Sequence, residues 1–142
     1  MNIARHIALI DELCFRPFTA ERTSSNGDES GPGYHVVVLE SGHDNCGTRA
    51  ETMEQYEKYR DALDERFATR WRETGPYNLQ TVSLRTEQEE IPEPWASLSA
   101  RARVASVWEV EGTGRWVAAV VADLDEADDV KLLGVVTEID PP

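Results

Sequence analysis

The chain has 142 residues, 40% of them hydrophobic, with 27 acidic against 14 basic side chains and a formal charge of -13. That length suits one domain able to bury roughly 68% of its unfolded surface without metal or disulfide staples, and two cysteines, Cys14 and Cys46, are too few for a disulfide framework. The charge disfavours direct nucleic-acid binding and anionic membranes, because both rest on Lys and Arg, and no apolar run approaches the ~18 residues of a spanning helix.

The first segment places Ile3, Ile7, Ile10 and Cys14 at helical spacing over residues 3–14, with Leu9 and Leu13 widening the stripe. Arg5, His6, Asp11 and Glu12 interrupt the apolar pattern, so the segment does not read as a secretory signal and a cytoplasmic location is expected. Residues 19–33 are rich in Ser, Gly and acid and predict a flexible loop within the domain. Tyr34 to Glu40 contains Val36-Val37-Val38-Leu39, the pattern of a strand covered on both faces.

Thr48 and Glu51 form a capping-box pattern. Met53, Tyr56, Leu63, Phe67 and Trp71 follow at helical steps, and Gly75-Pro76 suits a helix stop. The spacing predicts a helix over 48–74, about 40 Å long at 1.5 Å per residue. Its early acids (Glu51, Glu54, Glu57) and late arginines (Arg66, Arg70, Arg72) agree with the helix dipole. Leu79 to Arg85 reads as a strand, and Glu87 to Trp95 as an acidic loop that two prolines keep irregular. Val104 to Glu111 and Arg115 to Ala122 flank Gly112-Thr113-Gly114 as a hairpin. Residues 123–129 form a charged turn, and Lys131 to Ile139 a last strand. The expected architecture is a single α+β domain over 1–142. Its one mainly antiparallel sheet has about five strands, with a long amphipathic helix packed on one face.

Four segments carry a resemblance: Glu65-Arg66-Phe67-Ala68-Thr69-Arg70-Trp71, Glu90-Ile91-Pro92-Glu93-Pro94-Trp95, Gly114-Arg115-Trp116-Val117-Ala118 and Thr137-Glu138-Ile139-Asp140-Pro141-Pro142. They resemble an uncharacterised family of small acidic actinobacterial proteins over roughly residues 50–142. The resemblance implies a cytosolic location and carries over no functional residue.

The loop 41–48, Ser-Gly-His-Asp-Asn-Cys-Gly-Thr, leads to a helix N-terminus, where free amides favour anions and lower a thiol's pKa. Gly42 and Gly47-Thr48 match part of a phosphate loop that lacks its lysine. Cys46, His43 and Asp44 have the residue types of a nucleophile, base and orienting acid, yet sequence neighbours rarely reach the geometry needed. A zinc site drawing on Cys14, His35, His43 and Cys46 lacks motif spacing beyond the His43–Cys46 pair. A calcium loop starting at Asp123 would want Gly at 128 and Glu at 134, where Asp128 and Gly134 stand. Glu87, Glu89, Glu90 and Glu93 show no placement that would perturb their pKa values for acid–base work. These patterns predict no catalytic residue, metal site or cofactor.

Charge is the stronger signal. Residues 87–93 hold four carboxylates and 123–129 hold five, without a Lys or Arg in either. With Trp95 as an aromatic anchor, Glu89, Glu90, Glu93, Asp125, Asp128 and Asp129 are the expected contacts for a basic protein partner. The alternatives are a small enzyme or anion binder using loop 41–48, and a homodimer joined through an uncovered sheet face. Trp108 and Trp116 are expected as core or cross-strand residues of the hairpin.

Overall fold

The valine-rich runs pair with one another, and the rest of the chain wraps the sheet they make. The computed structural model describes residues 2–25, 28–42 and 48–142. In chain order the elements are α1 (Ile3–Phe15), β1 (Thr23–Ser25), β2 (Asp28–Gly31), β3 (Tyr34–Ser41), α2 (Arg49–Ala68), β4 (Arg72–Asn78), α3 (Leu79–Arg85), α4 (Trp95–Arg101), β5 (Val104–Val110), β6 (Arg115–Ala122) and β7 (Lys131–Thr137). The fold is α+β, with one sheet in the order β1-β2-β3-β7-β6-β5-β4 and every neighbouring pair antiparallel.

Alternation along the strands feeds two cores. Val37 and Leu39 of β3, Trp108 and Val110 of β5, Val117, Ala119 and Val121 of β6, and Leu132 and Val136 of β7 share one face with α1 and α2. Val36 of β3, Ala105 and Val107 of β5, Ala118 and Val120 of β6, and Leu133 and Val135 of β7 share the other with α3 and α4. A sheet buried on both sides explains why its central strands are nearly continuous in Val, Leu and Ala. Helices therefore lie on both faces, α1 and α2 on one and α3 and α4 on the other.

The sheet has seven strands, where about five were expected. Within the predicted loop 19–33, the described residues form a hairpin, β1 and β2, that extends β3 through Glu29↔Val36, Ser30↔His35 and Gly31↔Tyr34. These polar residues join the sheet through backbone pairing, which apolar periodicity does not report. Gly31 is required by close approach, since a Cβ there would stand 2.5 Å from the Tyr34 ring. Gly33 takes φ 86 in the turn that follows.

The long helix ends at Ala68 and spans 20 residues, about 30 Å. Trp71 then stacks back on Phe67 at 4.8 Å, and the chain runs out as β4. Gly75-Pro76 lies inside that edge strand, where the register shifts between Glu73 and Pro76. Residues 79–85, expected as a strand, form α3. Asn78 caps it by accepting from the Gln80 and Thr81 amides, and Leu79 and Val82, three residues apart, are its buried pair. Among the described residues no helix is long and apolar enough to cross a membrane.

Candidate functional site

Helix α2 starts with the capping box read from the sequence: the Glu51 amide donates to Thr48 Oγ1 at 3.2 Å, and the Thr48 amide to Glu51 Oε2 at 3.4 Å. Thr52, Tyr56, Leu63 and Phe67 are its buried side. At about 100° per residue, the outward side carries Glu51, Glu54, Glu57, Asp61 and Glu65, all exposed, against exposed Lys58 and Arg66. Lys58 reaches Glu54 at only 3.7 Å, with both side chains more than 70% exposed, a pairing that contributes little.

A second acidic segment is fastened to the first turn of this helix. The Arg49 guanidinium donates to the carbonyls of Asp128 at 2.6 Å, Asp123 at 2.8 Å and Asp125 at 2.9 Å. From below, the Asp123 and Leu124 amides donate to the Arg101 carbonyl at the end of α4, at 3.0 and 3.1 Å. Arg49 thus spends its donors on backbone and leaves the turn's carboxylates with their charge. Asp125 Oδ1 accepts from the Ala127 amide. Asp128 accepts from Lys131 Nζ at 3.0 Å, which holds its carboxyl below the usual range. Asp125, Glu126 and Asp129 are exposed. The turn 123–129 is thus held beside the first turn of α2, a helix whose outward side is also acidic.

An open groove runs along the far flank of that side, lined by Glu51, Glu54, Gln55, Lys58 and Tyr59. Tyr59 is half-buried, its ring stacked 6.0 Å from that of Tyr56, and its hydroxyl accepts from Gln55 Nε2 at 2.7 Å. An aromatic face beside two carboxylates suits a Lys or Arg side chain.

The other predicted contacts lie elsewhere. Trp95 is fully buried, with its indole N–H on the Ile139 carbonyl at 2.9 Å, so it is a core residue and no surface anchor. Its size and apolar character won over its acidic neighbours. Ile139 follows β7 and the turn 123–129 precedes it, so the segment entering at Trp95 and the turn lie at opposite ends of a strand about 20 Å long. They form no joint surface. Within 87–93, Glu89 accepts from Arg85 at 2.7 Å, which lowers its pKa. Glu93 Oε2 accepts from the Ser97 amide in the first turn of α4. Glu90 is exposed.

No family model, no curated protein and no solved structure matches the chain.

Of loop 41–48, residues 43–47 lie outside the described residues, and His43, Asp44 and Cys46 with them. Cys14 is buried in the α1–α2 core, where burial first and Asp11 second push its thiol up to about 11. At neutral pH it is a packed thiol, a poor metal ligand. His35 is 1% exposed, and its Nδ1 lies 2.8 Å from Ser30 Oγ on the paired strand, a contact made inside the sheet. Trp108 is buried in the core, and Trp116 is half-buried with its indole N–H on Asp140.

The acids of α2 recur in the sequence at three- and four-residue steps, a pattern whose early members also fit the helix dipole. Arg49 gave no such signal, because its acceptors are main-chain atoms more than 70 residues away.

Proposed function

We propose that the protein is a recognition module for a cationic protein segment, bound along the outward side of α2 and the turn 123–129. The observation that carries this reading is the Arg49 clamp, which holds the acidic turn beside the acidic helix α2 through main-chain carbonyls rather than through its carboxylates. Such a surface steers a basic partner and fixes its register, with an attraction that falls as salt screens it. Tyr59 takes the role of aromatic contact that the sequence suggested for Trp95. The packing of α3 and α4 on the second sheet face weighs against the homodimer alternative.

A Lys/Arg-rich helical peptide titrated by calorimetry tests the reading. Combining Glu54→Gln, Asp61→Asn and Glu65→Gln should weaken binding by roughly tenfold or more, about 1.4 kcal/mol. Neutralising Glu87, Glu89 and Glu90 should leave it nearly unchanged. Equal losses from the two triplets would show attraction to net charge alone and reject α2 as the site.

A further inference from the structure

On the flank of α2 opposite Tyr59, a cleft of about 180 Å³ opens between the helix and the sheet end. It is lined by Glu57 and Arg60 of α2, Arg103 and Val104 at the start of β5, and Val121 and Asp123 at the end of β6. Val121 is 6% exposed, as is the Asp123 side chain, and together they form the floor. Arg60 is 20% exposed, while Glu57 and Arg103 stand at the rim.

Two of the deeper groups are short of partners. Arg60 Nε is buried with no hydrogen-bond partner among the described residues, and the guanidinium's ion pair is a 3.8 Å approach to exposed Asp61. Asp123 meets Arg103 Nη1 at 3.6 Å, beyond good hydrogen-bond length. No ion pair joins Arg60 to Asp123 among the described residues. A guanidinium and a carboxylate, each with only a long ion pair to an exposed neighbour, thus line the same cleft, and deep groups of this kind ordinarily find a closer partner.

We propose that this cleft binds a small zwitterion, an α-amino acid with a short aliphatic side chain, its carboxylate on Arg60 and its ammonium on Asp123. A plain anion would face Asp123 and Glu57, and a plain cation would face Arg60 and Arg103. A ligand bearing both charges gives each deep group its complement, and Val104 and Val121 offer apolar contact to its side chain. The volume equals roughly six times a water's share of the liquid, enough for an amino acid of this size. The site is separate from the Tyr59 groove and stands whether or not a cationic partner is found.

The test titrates the full chain with valine, with its two halves, isovalerate and isobutylamine, and with inorganic phosphate, followed by amide chemical shifts. Valine should saturate, shift the amides of Val121 and Asp123, and bind at least tenfold more tightly than either half. Arg60→Met should reduce valine to the level of isobutylamine, and Asp123→Asn to that of isovalerate, with unchanged shifts elsewhere reporting an intact fold. Isovalerate binding as well as valine, phosphate binding more tightly, or no saturable shift with any of the four would overturn the proposal. The comparison of ligands on the unmodified protein decides the matter even if Asp123→Asn unfolds.

Discussion

His35 shows what burial does to one titratable side chain. It points from β3 into the fold, 5.0 Å from the Phe18 ring, and its Nε2 has no partner among the described residues. Burial is the main force holding its pKa below the ordinary 6.5; the nearby Arg16 backbone partly opposes this, and the charges of Arg16 and Arg115 add to it. The folded state therefore binds this proton less readily than the unfolded chain. Its contribution to stability is complete above about pH 6.5, the unfolded value, and is lost as pH falls toward the depressed folded one. Unfolding free energies from urea titrations should be level down to about pH 7, then decline by no more than about 1.4 kcal/mol per pH unit. In His35→Leu that decline should shrink. An unchanged slope in the variant would assign the acid sensitivity to other groups.

At the level of elements, the legible pieces were those whose stability is local. Helix α1, the capping box of α2 and the β5–β6 hairpin each carry their own periodicity, cap or glycine turn, and each stands where the sequence put it. The strands β1, β2 and β4 owe their form to an edge already laid down by β3 or β5, so polar residues and even Gly75-Pro76 could join. Helix α3 carries two competing pairs: Val82 and Leu84 fit the two-residue period of a strand, Leu79 and Val82 the three-residue step of a helix. Leu84 is 69% exposed, and the Leu79–Val82 pair with its Asn78 cap decides for helix. The acidic turn was legible as composition, while its attachment depends on Arg49, far away in sequence. Arg49→Met should therefore cost about 2 kcal/mol by losing charge-assisted hydrogen bonds, and amide exchange of Ala127 and Asp128 should quicken while the α2 amides remain protected. Arg49→Lys should restore less than half of the loss, since an ammonium lacks the planar fork that spans several carbonyls. Unaltered exchange in 123–129 would show that Arg101 alone holds the turn.

For the whole molecule, a net charge of -13 on 142 residues is an energetic load, whatever it contributes to recognition. Two cores on either side of one sheet give the fold its stability, and the carboxylates of α2 repel one another along a face that needs none of them for packing. Like charges three or four residues apart on a helix each destabilise by about 0.2–0.5 kcal/mol, and salt screens such exposed charges once the Debye length drops below their separation. Raising NaCl from about 0.02 to 0.5 M should thus raise the melting temperature. The triplet Glu54→Gln, Asp61→Asn and Glu65→Gln should be more stable than the parent at low salt and nearly equal to it at high salt. The same triplet is expected to lose the cationic peptide, so stability and binding would move in opposite directions on the same residues. That opposition separates a binding face from a merely solubilising one, because neutralising solubilising charges would stabilise the fold and leave binding intact. Destabilisation by salt would instead mean that attractive pairs such as Asp11–Arg70 and Arg85–Glu89 outweigh the repulsion, and the load attributed to α2 would not exist.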